Sequence, residues 1–225
     1  MGESMEPEFW HERWKTNQIG FHEPEGNEWL PRFWPALKVP AGSRVWVPLC
    51  GKSVDMLWLL KQGYAVRGIE LNNQAIEQFF AENQLEPTII EHGSFTVYSC
   101  GDLEIWLGSV FDIRPEHLAD CQGWYDRAAL IALPADLRAN YMAQITRCLP
   151  EGCRGLLITL EYMQSERQGP PFAVQEQEVH AGFDAFWQVE LLARQDVLAL
   201  EAKFARQGVT SLHEAVYALE RKSRC

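Results

Sequence analysis

The chain has no Cys-x-x-Cys pair, although cysteines stand at positions 50, 100, 121, 148, 153 and 225. That spacing speaks against a zinc site or a disulfide frame. Reduced thiols in a cytoplasmic protein are the expectation. The six histidines are scattered, so no metal site is expected. No apolar run approaches the roughly 18 residues of a membrane helix. No basic-then-apolar signal stands at the amino terminus. Basic residues are scarce, 20 against 31 acidic, for a net charge of −11. Such a surface repels phosphate backbones, and no local basic patch offsets it. Neither nucleic acid nor a membrane is therefore an expected partner, and the chain is expected to be a monomer. No Pro/Gly/Ser-rich linker and no internal repeat divides the 225 residues, which suits one α/β domain over 1–225. Met5 is a candidate natural start, with Met1 to Ser4 an addition.

The stretch Val45-Trp46-Val47-Pro48-Leu49-Cys50-Gly51-Lys52-Ser53-Val54-Asp55 organises the rest. A short apolar run meets a breaker, then one glycine and a capping serine. The helical run Val54, Leu57, Trp58, Leu60 follows. The pattern reads as strand, tight turn, helix. In an open α/β sheet the ligand crevice lies beyond the carboxyl ends of the strands. A second strand over 64–69 ends in Glu70, whose carboxylate suits the two hydroxyls of a ribose. A phosphate loop would need glycine where Trp46 stands. A dinucleotide fold wants three glycines, and one is present. A ligand with adenosine and ribose but no phosphate, such as S-adenosylmethionine, needs less exposed backbone. An ordinary strand-to-helix turn stays the competing reading.

Upstream, Trp10 and Trp14 share one face of a helix, ahead of the first strand. Such a segment could close over the crevice, or simply pack. Phe21 and His22 follow in a polar loop, and 27–37 reads as a second helix with Pro31 in its first turns. Downstream, Gly63 suits a left-handed cap, and Asn72 or Asn73 caps a helix to about Asn83. Residues 95–100 and 103–107 read as a hairpin. It delivers Gly108-Ser109-Val110-Phe111-Asp112, where Ser109 could meet an adenine edge or Asp112 could cap the turn before Pro115. Strand four runs over 123–126 with Arg127 at its end. Pro134 opens a helix to Cys148, and 155–160 forms strand five. Strands alternating with helices predict a largely parallel sheet with helices on both faces. The loop 161–174 is long enough to suggest a lid. A last set of helices and strands covers 174–182, 187–192, 197–207 and 211–219.

In order along the chain stand Trp14, Phe21-His22, Pro48-Leu49-Cys50-Gly51-Lys52, Glu70, Ser109-Val110-Phe111-Asp112, Trp124-Tyr125-Asp126-Arg127 with Ala129-Leu130, and Gly169-Pro170-Pro171-Phe172. This set resembles the thiopurine S-methyltransferase family, in particular its bacterial members, from about Trp10 to Glu220. The resemblance implies the class I methyltransferase fold, a Rossmann-like, mostly parallel sheet of seven strands with one antiparallel member. It implies S-adenosylmethionine as cofactor and methylation of sulfur in aromatic and heterocyclic thiols, thiopurines among them. Some bacterial members are also linked to methylation of selenium and tellurium compounds. Carried over, Trp14, Leu49, Glu70, Ser109, Val110 and Arg127 would contact the cofactor. Phe21 would be the substrate-side aromatic, and Lys203 would fall near a substrate-side basic residue of relatives. Residues 5–40 would form a helical cover over the site.

Methyl transfer from a sulfonium is an in-line displacement, so the protein mainly positions its ligands and keeps them dry. Aromatic thiols are acidic, and the motifs hold no obvious base. Arg127 could stabilise negative charge on the acceptor, which makes it the catalytic candidate, or it could pair with Asp126, Glu161 or another carboxylate. Cys50 as nucleophile and His22 as base are weaker candidates. A nicotinamide oxidoreductase and a non-catalytic adenosine-ligand-binding protein are the competing functions.

Overall fold

The computed structural model of the chain describes residues 7–223, so the expectation about Met5 and the first residues of the cover lie outside it. Period-two patterning sends strand neighbours to opposite faces. In β1 (Arg44–Val47), Val45 and Val47 join one apolar cluster and Trp46 joins the other. In β6 (Cys121–Asp126), Trp124 and Tyr125 divide the same way. Strands that bury both faces need helices on both. One face is covered by α2 (Trp29–Phe33), α3 (Asp55–Lys61) and α4 (Asn73–Glu82), which supply Leu30, Met56, Leu59, Ile76 and Phe79. The other is covered by α5 (Pro115–Leu118), α6 (Ala129–Ala132), α7 (Ala135–Cys148) and α8 (Glu176–Phe183), with Leu118, Leu130, Tyr141, Ile145 and Phe183. The remaining helices are α1 (Pro7–Lys15) and α9 (Ala202–Arg206).

The other strands are β2 (Ala65–Glu70), β3 (Thr88–His92), β4 (Phe95–Cys100), β5 (Leu103–Leu107), β7 (Arg154–Glu161), β8 (Trp187–Asp196) and β9 (His213–Arg221). The sheet order is β3-β4-β5-β2-β1-β6-β7-β9-β8. The run β5, β2, β1, β6, β7 is parallel throughout. β9 is antiparallel to both β7 and β8, so β8 points the same way as β7. Those seven strands with one reversed member match the expected class. The expected strand total does not hold, because the sheet has nine strands among the described residues. The hairpin of β3 and β4 extends the edge beyond β5. β3 escaped the sequence reading because all five of its residues are exposed, which leaves no inside-outside alternation to detect.

Two helices are shorter than expected. The segment 27–37 divides into α2 and a 3-10 turn over Trp34–Leu37, where Pro35 supplies no N–H for a continuing α-helix. In 197–207 only α9 is helical. There Val197 N–H pairs with the Leu212 carbonyl, and Asp196 accepts from Leu198 N–H, which holds the start of the segment as a turn. The expected caps are present: Gly63 has φ 84, and Asn72 Oδ1 accepts from Ala75 N–H at 3.2 Å. No helix among the described residues is long and apolar enough to cross a membrane. The parallel run brings the carboxyl ends of β5, β2, β1, β6 and β7 to one rim of the sheet.

Candidate active site

At that rim the chain leaves β1 and must turn into α3. Leu49 adopts φ 46 and Gly51 φ 51. Left-handed backbone is uncommon for leucine and gathers at ligand sites. The turn aims two N–H groups back at β2. Cys50 N–H donates to the Ile69 carbonyl, and Gly51 N–H donates to Glu70 Oε2, both at 2.9 Å. Glu70 Oε1 accepts from Asn72 N–H at 2.8 Å. Burial raises the Glu70 carboxyl above its ordinary range despite these backbone donors. A Cβ on Gly51 would stand 3.2 Å from the Trp14 ring, so α1 approaches this turn closely because the residue is glycine.

The turn after β5 is tied to the same place, since Gly108 N–H donates to the Glu70 carbonyl at 2.9 Å. A Cβ on Gly108 would come within 2.5 Å of Phe95, so only glycine fits. Ser109 Oγ accepts from Phe111 N–H at 3.2 Å and caps the 3-10 turn Val110–Asp112. Its hydroxyl hydrogen stays available to a ligand, and the N-cap of the turn before Pro115 is Arg114, not Asp112.

β6 ends in Asp126, which is 1% exposed. Its Oδ1 accepts from Ala129 and Leu130 N–H, at 3.0 and 3.2 Å, and its Oδ2 accepts from the Tyr141 hydroxyl at 2.6 Å. These bonds fix the turn that presents Arg127. Burial pushes the Asp126 carboxyl up to about 6. Arg127 pairs with neither Asp126 nor Glu161, because Glu161 is held by Arg194. Its Nη1 donates to Glu23 Oε1 at 2.8 Å and to the Phe21 carbonyl at 3.2 Å, and its Nε lies 4.0 Å from Asp55 Oδ2. Asp55, 2% exposed, also accepts from Asn27 N–H at 2.8 Å and from the Tyr125 hydroxyl at 2.9 Å.

The amino-terminal segment roofs this rim. Phe21 meets Trp10 and Trp14 edge to face, with ring centres 5.8 and 5.7 Å away, and Trp14 is 3% exposed. His11 and Asn72 share a hydrogen bond of 2.9 Å, which ties α1 to the cap of α4. Lys203, on α9, is exposed, and its Nζ lies 3.6 Å from where a Cβ on Gly20 would stand. The loop 161–174 forms a wall and is pinned. Arg167 donates to the carbonyls of Pro170 and Pro171, each at 2.7 Å, and Phe172 N–H donates to the Ile131 carbonyl at 2.7 Å.

Trp14, Phe21, Leu49, Glu70, Ser109, Val110, Arg127 and Lys203 all line one cavity of about 850 Å³. Two weaker candidates do not. Cys50 and His22 border a small adjoining space of about 40 Å³ that shares Trp14, Leu49 and Arg127 with the cavity. Burial holds the Cys50 thiol well above its ordinary range, so no thiolate nucleophile forms at neutral pH. Burial, with Lys52 nearby, lowers His22. Sequence reasoning missed Glu23 and Glu214, which line the large cavity, and Asp55 behind Arg127. Glu23 and Glu214 come from distant parts of the chain and carry no motif. The only signal at Asp55 was an acidic residue in a helix's first turn.

The family described as thiopurine S-methyltransferase matches residues 5–222. The chain belongs to this family. The thiopurine S-methyltransferase of Pseudomonas entomophila (strain L48) is 52% identical over 96% of this chain and 100% of its own length. That of Pseudomonas putida (strain KT2440) is 50% identical over the same shares. Among solved structures, the fold resembles 1,6-didemethyltoxoflavin-N1-methyltransferase of Burkholderia thailandensis, with a TM-score of 0.62 and 14% identity over 96% of this chain and 87% of that one. It also resembles phosphoethanolamine N-methyltransferase 2 of Haemonchus contortus, with a TM-score of 0.61 and 10% identity over 86% of this chain and 53% of that one. Likeness at those identities speaks for the fold. The function has to be argued from the site.

Proposed function

We propose that this protein transfers a methyl group from S-adenosylmethionine to the sulfur of an aromatic or heterocyclic thiol. The observation that carries the reading is Glu70. Its buried carboxylate stands at the tip of β2, held by two backbone N–H groups, on the wall of a cavity of about 850 Å³. A carboxylate oxygen has a further lone pair after one such bond, so both remain able to accept from a ribose diol. The first turn at the rim has a single glycine, and its Cys50 and Gly51 N–H groups are spent on β2, which suits a cofactor without phosphate.

On this reading Leu49, Ser109, Val110 and Trp14 enclose the adenosine, and Ser109 donates to its base. The cofactor supplies an activated methyl group on a sulfonium. The protein's share is orientation and exclusion of water. Phe21 offers an aromatic edge to a flat acceptor, and Lys203 faces the acceptor from α9. Arg127, permanently charged and 15% exposed, stabilises the anion formed as the thiol ionises. The amino-terminal segment to residue 40 is the cover that completes the cavity.

Calorimetric titration with S-adenosylhomocysteine and with NAD, followed by product detection with labelled donor, tests the reading. A panel of thiophenols, heterocyclic thiols, selenols and tellurite defines the acceptor. Tight binding of S-adenosylhomocysteine with a methylated thioether product supports the proposal. Binding of NAD in its place, or binding with no methylated product, overturns it.

A further inference from the structure

The motifs contain no base for the acceptor's proton, yet the structure hydrogen-bonds a cavity-lining carboxylate, that of Glu23, to the residue assigned to charge stabilisation. Glu23 lines the large cavity, and its Oε1 is 2.8 Å from Arg127 Nη1. It belongs to the loop that carries Phe21, so it enters the acceptor end of the cavity with the cover. Its other oxygen accepts from Asn27 Nδ2 at 3.3 Å. Four groups act on it from the elements around it: Arg127 at the end of β6, Asn27 on its own loop, Asp55 on α3 and Glu214 on β9. Glu214 is itself anchored, accepting from the Trp29 indole at 2.6 Å.

This arrangement leaves Arg127 with its charge already neutralised. An acceptor that arrives as a thiolate must displace Glu23 or add one more negative charge beside Glu214 and Asp55. A neutral thiol can avoid that conflict. We propose that Glu23 takes the acceptor's thiol proton, so that the counter-ion of Arg127 changes from the Glu23 carboxylate to the acceptor's thiolate. The S–H bond breaks, an O–H bond forms on Glu23, and the sulfur keeps the electron pair. That pair then forms the new carbon–sulfur bond as the donor's methyl–sulfur bond breaks, and the departing sulfur leaves neutral. Once methylation has turned the thiolate into a neutral thioether and Arg127 again needs a counter-ion, the proton passes from Glu23 to water, which reaches it because its side chain is 40% exposed. Net charge in the cavity is unchanged by the first step, so the step needs no other ion.

Burial raises the Glu23 carboxyl above its ordinary range even though Arg127 opposes this. That direction suits a group that must accept a proton near neutral pH. The substrate class follows: acceptors that enter as uncharged thiols are favoured over acceptors with a permanent negative charge at the same end.

The inference rests on the proposed thiol methylation, and the test separates the two. Glu23→Gln keeps the shape and the Asn27 contact but cannot take the proton. Glu23→Asp retains a carboxylate on a shorter stem. With no donor present, a chromophoric heterocyclic thiol is titrated into each protein below the free thiol's pKa. Ionisation is read by absorbance and proton release by buffer-dependent calorimetry. In the parent the thiolate band should appear with essentially no proton released to buffer. In Glu23→Gln any thiolate bound should release about one proton per thiol. Methylation rates across substituted thiophenols should then show a loss in Glu23→Gln that grows with acceptor pKa, to the order of a hundredfold for the least acidic. Glu23→Asp should recover part of it. A parent that releases a full proton, a parent that binds the thiol without ionising it, or a loss independent of acceptor pKa would each overturn the role of Glu23. Failure of the function itself looks different, because the parent then methylates none of the thiols.

Discussion

The backbone N–H of Gly51 donates to Oε2 of Glu70 at 2.9 Å, across 19 positions of sequence. This bond makes the turn after β1 and the tip of β2 one structure. It also means that a buried carboxylate is in place before any ligand arrives, so cofactor binding does not have to organise it.

Glu70→Ala should therefore weaken S-adenosylhomocysteine binding by about 3 kcal/mol, roughly a hundredfold, through loss of two charge-assisted hydrogen bonds. Calorimetry on the folded variant checks this. Unchanged affinity would remove the ribose assignment.

Gly51→Ala should act on both the turn and the roof. The new methyl group is strained at φ 51 and crowds the Trp14 ring. A loss of about 1 kcal/mol in stability is expected from the backbone alone, with weaker cofactor binding as Trp14 shifts. Denaturant unfolding and calorimetry read the two effects separately. A variant that is as stable and binds as tightly as the parent would refute the close-approach argument.

Hydrogen exchange addresses the cover. Amides over 8–21 should exchange quickly in the free protein and slow markedly when S-adenosylhomocysteine is added. The segment precedes the first strand, and among the described residues its polar ties to the sheet side run from His11 to Asn72 and from the Phe21 carbonyl to Arg127. Strong protection in both states would make α1 part of the permanent core, in line with the burial of Trp14.

Asp126 predicts a pH effect on stability. Its carboxyl is raised from 3.8 to about 6 by burial, so between those values the native state holds a proton that the unfolded state has lost. Its contribution is then largest below about 4 and falls as pH rises through about 6, by about 3 kcal/mol in total. Asp126→Asn keeps an acceptor for Ala129 and Leu130 N–H and cannot ionise. The difference in unfolding free energy between variant and parent should thus shift in favour of the variant from pH 4 to pH 7. A difference that does not change with pH would show that Asp126 ionises normally.

Much of the scaffold was legible in the chain. Val45 to Val47 followed by Pro48 and Gly51 marked strand and turn because backbone chemistry is local. Glu70 was legible because a strand's end follows from its apolar run. The alternation of strands with helices pointed to a largely parallel sheet covered on both faces. The ordered motifs from Trp14 to Phe172 then indicated the family. β3 was not legible, since an edge strand with every residue exposed shows no period.

The acceptor end was decided by tertiary structure alone. The sequence identified Arg127 and left its partner open among several carboxylates. Which carboxylate meets it depends on how the loop after α1 crosses the rim of the sheet, and no local rule sets that path. Folding brings Glu23 to 2.8 Å from Arg127, across 104 positions, and gives Asp126 and Glu161 to Tyr141 and Arg194 instead. It leaves Cys50 and His22 off the lining of the large cavity, on a small adjoining space, although both stand within the quoted motifs. Residue types are written in the sequence, but burial and ion pairing belong to surroundings that only the packed chain supplies.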